Sequence, residues 1–571
     1  MKKILIGVSD FKNMIQGNGY YVDKTLFIKE IIDSGAQVSL FTRPRRFGKT
    51  LNLSMLRYFF DLQHPENKEL FNGLKIAQHK DLMDNYCCQY PVIFLTFKDV
   101  KTDSWTDTLD KMQTIIATLY DEHSYLYDSL KPHEQKLFDN IINQEAKITD
   151  YENSLIFLSQ LLYRYHGKQV IILIDEYDTP IHYGYDKYYD KVVSFMRNLL
   201  SAGLKDNSFL YKAVITGILR VSKESIFSGL NNIAVFSILN HQFDDKFGFT
   251  ENEVKQLLKD FNKTDLFDQV KYWYNGYRIG DQTDMYNPWS ILNFTADSKS
   301  EFRSYWTQTS TNDFIKHEIS KQDSEQLRQD IERLLQGGTV TRDIVENFVF
   351  SDLQTDRDLL WTLMLFSGYL TFTERLWHNT YKLRIPNNEV KTVFQDTVIH
   401  WIKNELRIQK SLLDETLHAL IQGRLDEFEQ GFRRVMQDTF SYYDTQKFNE
   451  YVFHAYFLGL LAILGDYYEI KSNRESGQGR YDIMLIPRQP GFKGIVIEIK
   501  RTDPQGDKET DQQFQQRIEQ LLKQGMEQIE RQKYYQELLN RGLTDSDILK
   551  VVIVFAGKTP YVYKPTHNQQ A

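Results

Sequence analysis

The sequence predicts an α/β chain in three parts. A doubly wound, largely parallel sheet domain spans residues 1–290, a helical or winged-helix stretch spans 291–440, and a second α/β domain spans 445–571. Three observations carry this reading. Val38, Leu40 and Phe41 form a strand-like run that passes through Gly48-Lys49-Thr50 into a helical pattern at Leu51, Leu53, Met55, Leu56 and Phe59. The unbroken apolar run Val170-Ile171-Ile172-Leu173-Ile174 ends on Asp175-Glu176, as expected of a central parallel strand covered on both faces. Towards the C-terminus, strand-like and helical runs in the order helix–strand–strand–strand–helix–strand surround Asp482, Glu498 and Lys500.

The first element reads as a phosphate-binding loop. Main-chain N–H groups at a helix start, reinforced by the helix dipole, favour an anion. Lys49 is placed to reach the β- and γ-phosphates of a nucleoside triphosphate such as ATP, and the Thr50 hydroxyl to hold Mg²⁺. The pattern G-x-x-x-x-G-K-[ST] puts its first glycine at position 43, where this chain has Arg43. Arg45 and Arg46 replace small loop residues and are candidates to clamp phosphates or to answer a neighbouring subunit.

The strand ending at Asp175 supplies the partner. Asp175 is placed to hold the Mg²⁺ shell and Glu176 to polarise the attacking water. A further strand, Tyr211–Gly217, ends in Thr216, and ligands of open α/β sheets sit at the carboxyl ends of strands. Thr216 is thus a candidate γ-phosphate sensor. Arg220 is a candidate for stabilising transition-state charge or reporting nucleotide state. Val92–Phe97 is another buried strand, and residues 105–165 read as amphipathic helices.

Composition narrows the class. The 571 residues suggest about three or four domains. An aromatic content of 14% argues for packed domains rather than disorder. The two cysteines, Cys87 and Cys88, are adjacent, which suits a reduced, cytoplasmic protein without a cysteine-based metal site. No apolar stretch approaches the length of a membrane span, and the apolar run at Ile4-Leu5-Ile6 is too short for a signal peptide. With a formal net charge of -8, attraction to nucleic acid has to be local, through a basic groove.

Between 291 and 440 the strand signals fade, and helical patterns appear at 324–336 and 409–438, with apolar clusters at 358–375. Beyond 445, Glu450 opens an apolar helix, Asp482 lies in the strand Tyr481–Ile486, and Glu498 and Lys500 lie in Gly494–Lys500. Strand side chains alternate faces, so Glu498 and Lys500 share one, and Asp482 on the neighbouring strand can meet them. Two carboxylates sharing a divalent metal, with a lysine beside them, suit phosphodiester hydrolysis. Lys500 would orient or deprotonate the attacking water, Glu450 would complete the metal site, and Gln528, on a helix expected over 512–540, would hydrogen-bond nearby.

These residues resemble bacterial proteins that join an AAA-ATPase-like domain to a C-terminal nuclease domain of the PD-(D/E)XK superfamily. The likeness rests on Tyr21-Val22-Asp23-Lys24-Thr25, Arg43–Thr50, Leu173–Asp178 and Thr216-Gly217 through Ser228–Asn232. It continues in Trp273–Tyr277, Tyr286–Ser290, Glu475–Asp482 and Glu498-Ile499-Lys500. The Arg-Pro-Arg-Arg-Phe-Gly-Lys form looks like that family's own version of the loop. The resemblance implies a P-loop NTPase fold (AAA/STAND-like) at the N-terminus and a restriction-endonuclease-like fold at the C-terminus. It also implies ATP and Mg²⁺ as cofactors, DNA as partner, and a role in defence or mobile-element biology. Tyr481 stands where the superfamily's name has proline. The expectation is an ATP-controlled, Mg²⁺-dependent nuclease, with a non-cleaving, nucleotide-dependent binding switch as the competing class and a homo-oligomer open to either.

Overall fold

The computed structural model describes residues 2–220, 226, 232–306, 325–335, 337–347, 352–353, 356, 358–394, 410–439, 457, 460–461, 464, 467–476, 479–506 and 508–563. Glu450 and residues 221–225, 227–231 and 477–478 of the quoted motifs lie outside them. The chain divides into two compact units, Met1–Ser324 with Thr339–Lys391, and Glu325–Gly338 with Thr392–Ala571.

The first unit is built on five parallel strands, β1 (Val38–Thr42), β2 (Val92–Thr96), β3 (Val170–Asp175), β4 (Leu210–Gly217) and β5 (Ile233–Phe236), in the order β2-β3-β4-β1-β5. Every residue of β1 and β3 is buried, the reason their sequences lack a polar alternation. The helices Lys49–Phe60, Trp105–Glu122, Ser154–His166 and Tyr189–Leu204 connect the strands. Because β4 lies between β1 and β3, the ends of all three strands converge at one edge.

Strands β6 (Phe249–Thr250), β7 (Asn275–Ile279) and β8 (Gln282–Tyr286) form a small antiparallel sheet in the order β6-β8-β7. Its helices, Glu251–Asp260, Phe267–Tyr274 and Pro288–Ala296, share a core of Val254, Leu257, Val270, Tyr274, Tyr286, Ile291 and Phe294. The faded strand signals beyond 291 conceal a second antiparallel sheet of β9 (Val340–Asp343), β10 (Thr371–Trp377) and β11 (Thr380–Arg384), in the order β10-β11-β9. The outer half of β10 is exposed and so carries no buried face to betray it.

The second unit holds β12 (Tyr468–Ser476), β13 (Gly479–Pro487), β14 (Gly494–Thr502), β15 (Ile548–Ala556) and β16 (Thr559–Val562), ordered β12-β13-β14-β15-β16. Only the β14–β15 pair is parallel. A parallel neighbour demands a long crossover, and the helix Asp511–Gln532 with the short helix Gln536–Asn540 provides it. The single helix expected over 512–540 is broken at Lys533, which takes a left-handed conformation at φ 52.

Both faces of this sheet are covered. Ile483, Leu485, Ile495, Ile497 and Ile553 pack with Phe428 and Phe432 of the helix Leu425–Thr439. Met484, Ile486, Val496 and Val552 pack with Ile529 and Leu538 on the other side. Odd-numbered positions of β13 and β14 thus face one layer and even-numbered positions the crossover helices. Among the described residues no helix is long and apolar enough to cross a membrane.

Candidate active sites

The loop after β1 is held from inside. Arg43 is fully buried and donates to the main-chain oxygens of Thr42 (2.9 Å), Phe236 (2.7 Å) and Phe243 (3.2 Å). Its guanidinium also lies over the Phe247 ring, 5.1 Å from the centroid. Burial pulls its pKa down to about 9, with Asp244 opposing, so it stays protonated at neutral pH. The residue standing in the first-glycine position therefore ties the loop to the end of β5 and to the turn beyond it.

Gly48 sits at φ 88, a conformation that suits glycine, and no side chain caps the helix Lys49–Phe60 that follows. The N–H groups of its first turn are left for an anion. Lys49 is buried, and its ammonium donates to the oxygens of Arg43 (3.0 Å) and Pro44 (3.1 Å). Burial lowers its pKa, while Glu176, Asp178 and Asp175 pull it back up.

Thr50, Asp175 and Thr216 meet. The Thr50 hydroxyl donates to Asp175 Oδ2 (2.8 Å), and Thr216 Oγ1 donates to Asp175 Oδ1 (2.6 Å). Burial and the neighbouring Glu176 raise the Asp175 pKa, and both hydroxyls with Lys49 oppose that rise. Glu176 lies at φ 49, rare for a non-glycine residue, with its N–H 3.4 Å from Thr216 Oγ1 and its carboxylate accepting from Thr179 (3.2 Å). These hard oxygen donors beside an uncapped helix start fit a Mg²⁺–triphosphate. Thr50 and Asp175 would hold the metal and Lys49 the phosphates. The ion would neutralise charge on the transferred phosphoryl group.

The rest of the Leu173–Asp178 motif has a separate task, which the sequence did not announce. Asp178 Oδ2 accepts the N–H groups of Ile218 (2.7 Å) and Leu219 (3.0 Å), and the carboxylate pairs with His182 at 3.3 Å. Burial alone would raise the Asp178 pKa, but His182 and these N–H groups outweigh it and hold it low. Tyr177 donates to Leu219 O (2.7 Å). A Cβ on Gly217 would stand 2.6 Å from the Tyr177 ring, so only glycine allows this approach. Arg220 follows the clamp, half-buried, and its Nε takes no hydrogen-bond partner among the described residues. Thr216 is thus brought to Asp175, whereas Arg220 is placed by the clamp without bonding to the site.

The small antiparallel sheet braces the loop's outer side. Gly248 N donates to Phe47 O (3.0 Å), Phe47 packs edge-on against Tyr277 at 5.1 Å, and Asn287 Nδ2 reaches Arg45 O at 3.3 Å. Arg46 lies over Trp289, 4.1 Å from the ring centroid. Buried Glu389 accepts from Ser290 Oγ (2.6 Å) and from the N–H groups of Tyr305 and Trp306 (both 2.8 Å). Elsewhere in this unit Lys24 joins Glu253 (2.7 Å), and Asp23 accepts from Thr25 N (2.9 Å), so those motif residues are braces.

The second constellation lies on the even-numbered face of β13 and β14. Ile483 pairs with Ile497, and one further step of that register sets Asp482 opposite Glu498. Asp482 Oδ2 accepts the N–H of Ile499 (2.7 Å). Lys500 Nζ donates to Glu498 Oε1 and to Gln528 Oε1, both at 2.7 Å. Glu498 is only 3% exposed, a burial that an ion pair or a metal has to compensate. Gln528 Nε2 in turn contacts Tyr534 OH (2.9 Å), and Tyr534 feels the charges of Asp482, Glu498 and Lys500.

Tyr534 was not legible in the sequence; the left-handed Lys533 before it turns the chain back towards the sheet. Among the described residues no cluster of three or more His, Cys, Asp or Glu is able to hold a metal. Two carboxylates with water are nonetheless an ordinary Mg²⁺ set, and Asp482 and Glu498 fit it.

Comparison with known proteins places two domains along the chain. Residues 5–227 match the family model described as a predicted AAA-ATPase, and residues 448–564 match that of the PD-(D/E)XK nuclease superfamily. A protein of Azotobacter chroococcum mcd 1, described as an uncharacterized protein in the vnfD 5' region, is 27% identical over 501 residues. That match covers 85% of this chain and 87% of that protein. The chain therefore joins an AAA-ATPase-like domain to a C-terminal domain of the PD-(D/E)XK nuclease superfamily.

Proposed function

We propose that the chain binds and hydrolyses ATP and thereby controls a Mg²⁺-dependent DNA nuclease centred on Asp482, Glu498 and Lys500. The observation that carries this reading is the shared face of those three residues, with Lys500 linked to both Glu498 and Gln528. Asp482 and Glu498 would hold the metal, which when bound polarises the scissile phosphate and acidifies a water. Lys500 donates to Glu498 and is placed to orient that water, and Gln528 fixes the direction of its Nζ. In the first unit Lys49 and Thr50 bind the triphosphate, Glu176 orients the attacking water, and Thr216 and Arg220 respond to the γ-phosphate. Glu450 is proposed as a further metal ligand. The setting we propose is the cytoplasm, the role defence or mobile-element biology, and the assembly a homo-oligomer.

The test is cleavage of supercoiled and linear DNA by the full chain, with and without ATP and Mg²⁺. Wild type should cut only with the metal, at a rate that ATP changes. Lys500→Ala should abolish cutting, and Lys49→Ala should abolish only the response to ATP. Cleavage by Lys500→Ala at the wild-type rate would overturn the nuclease assignment. ATP-dependent DNA binding that survives Glu498→Ala, with no cleavage by wild type, would instead establish a non-cleaving switch.

A further inference from the structure

Arg46 departs from its neighbours in the loop. Arg43, Pro44, Phe47 and Lys49 are buried, while Arg46 is exposed and holds φ 67, a left-handed conformation that persists in an arginine only where its surroundings compensate. The visible compensation is Trp289. The Arg46 guanidinium lies 4.1 Å from the centroid of that ring. Trp289 is itself fixed, its indole N–H donating to Tyr305 O (3.2 Å) and its main-chain N–H to Asn287 Oδ1 (2.9 Å). The same Asn287 reaches Arg45 O. The indole is therefore an anchored plate, and Arg46 is the partner able to leave it. Partial desolvation lowers the Arg46 pKa, and the negative charge of Glu176 opposes that.

We propose that the Arg46–Trp289 stack is a latch that nucleotide opens. Resting on the ATP-binding reading above, Arg46 leaves the indole and pairs with the phosphates when ATP binds. The exchange is chemically directed, because a guanidinium gains more from a multiply charged, bidentate phosphate than from an aromatic face. Two consequences follow. The stack opposes ATP, so weakening it should strengthen binding. Trp289 should also report occupancy, because its ring loses a cation.

The full chain would be titrated with Mg-ATP, reading heat by calorimetry and, separately, tryptophan emission. The emission of wild type minus that of Trp289→Phe isolates one of the seven tryptophans. Wild type should bind ATP with a change in that difference signal. Trp289→Phe, which weakens the contact without removing it, should bind more tightly, by at most about fivefold, the exposed end of the range for a cation–π contact. Arg46→Ala should bind more weakly and, without ATP, already show the emission of the ATP-bound wild type. In the Arg46→Ala background, Trp289→Phe should give no tightening.

Since Arg46 is exposed, that variant carries the test even if Trp289→Phe folds poorly. ATP binding to wild type with no Trp289 signal would overturn the latch and leave the ATP reading intact. Unaltered affinity in Arg46→Ala would do the same. No heat of binding in wild type would overturn both.

Discussion

Replacing Arg43 by glycine would restore the usual phosphate-loop pattern, and the structure says that this repair should damage the protein. Three main-chain oxygens accept from the Arg43 guanidinium, those of Thr42, Phe236 and Phe243. Hydrogen bonds to a charged group contribute roughly 1.5–3 kcal/mol each, and a buried acceptor left without a donor costs about 1–3 kcal/mol. Removing the buried charge recovers part of its desolvation penalty, and glycine adds about 0.5–1 kcal/mol of chain entropy. The net loss for Arg43→Gly is about 3 kcal/mol. At about 2 °C per kcal/mol for a large domain, the melting transition of the ATPase-like unit should fall by roughly 6 °C. Calorimetry of the full chain reads this directly, and ATP affinity should fall with it. Arg43→Lys should lie between, keeping the charge but losing the planar fork. A melting temperature for Arg43→Gly within about 1 °C of wild type would refute the reasoning and make Arg43 a tolerated accident.

Three further outcomes follow from the same geometry. Burial raises the Glu389 pKa to about 7, against the bonds from Ser290, Trp306 and Tyr305 that favour the ionised form. The folded protein then binds this proton more tightly than the unfolded chain. The stability linked to Glu389 should be full below about pH 4.5 and decline as pH rises through 7, by about 3 kcal/mol in total. Urea unfolding of wild type against Glu389→Gln across pH 5–8 should show the decline in wild type alone. Asp178→Ala should free the N–H groups of Ile218 and Leu219 and cost about 3 kcal/mol. Hydrogen exchange at those two amides should rise ahead of exchange in β3. Tyr534→Phe should leave the second unit folded and lower metal-dependent cleavage several-fold by loosening Gln528. An unchanged rate would make Tyr534 packing only.

The parts legible in the sequence share one physical trait, in that local periodicity carried them. β1 and β3 are buried on both faces, so their apolar runs are unbroken and their polar ends stand out. The common face of Asp482, Glu498 and Lys500 follows from the period of two once β13 and β14 are neighbours. Periodicity is also what failed in the sheet of β9, β10 and β11. There Glu374, Arg375, Leu376 and Trp377 are all exposed, and Trp377 is 71% so. Lys533 broke the expected 512–540 helix for a related reason. A lysine carries no signal for a left-handed turn, yet that turn is what brings Tyr534 back to Gln528.

Arg43 shows why the remainder could not be read. As a string, position 43 is a missing glycine. In the fold, a glycine there would gain flexibility and lose three bonds, two of them to residues about two hundred positions away. Glycine-rich loops let the main chain wrap a phosphate at the expense of order in the empty loop. This loop takes the opposite course: it is ordered from behind by Arg43, from below by Lys49 on its own carbonyls, and from outside by Asn287 and Trp289. A loop whose cations are so well satisfied has to exchange contacts when phosphates bind. Lys49 must give up Arg43 O and Pro44 O, and Arg46 must give up Trp289, if phosphates are to take their place. Arg43 need not move, since its guanidinium bonds to Thr42, Phe236 and Phe243, outside residues 44–50. A loop with one fixed arginine and two releasable cations suits a regulated nucleotide site, because each released contact opposes binding until ATP replaces it. The same logic would make the affinity for ATP tunable from the Tyr286–Ser290 segment, which touches the loop at Arg45 and Arg46.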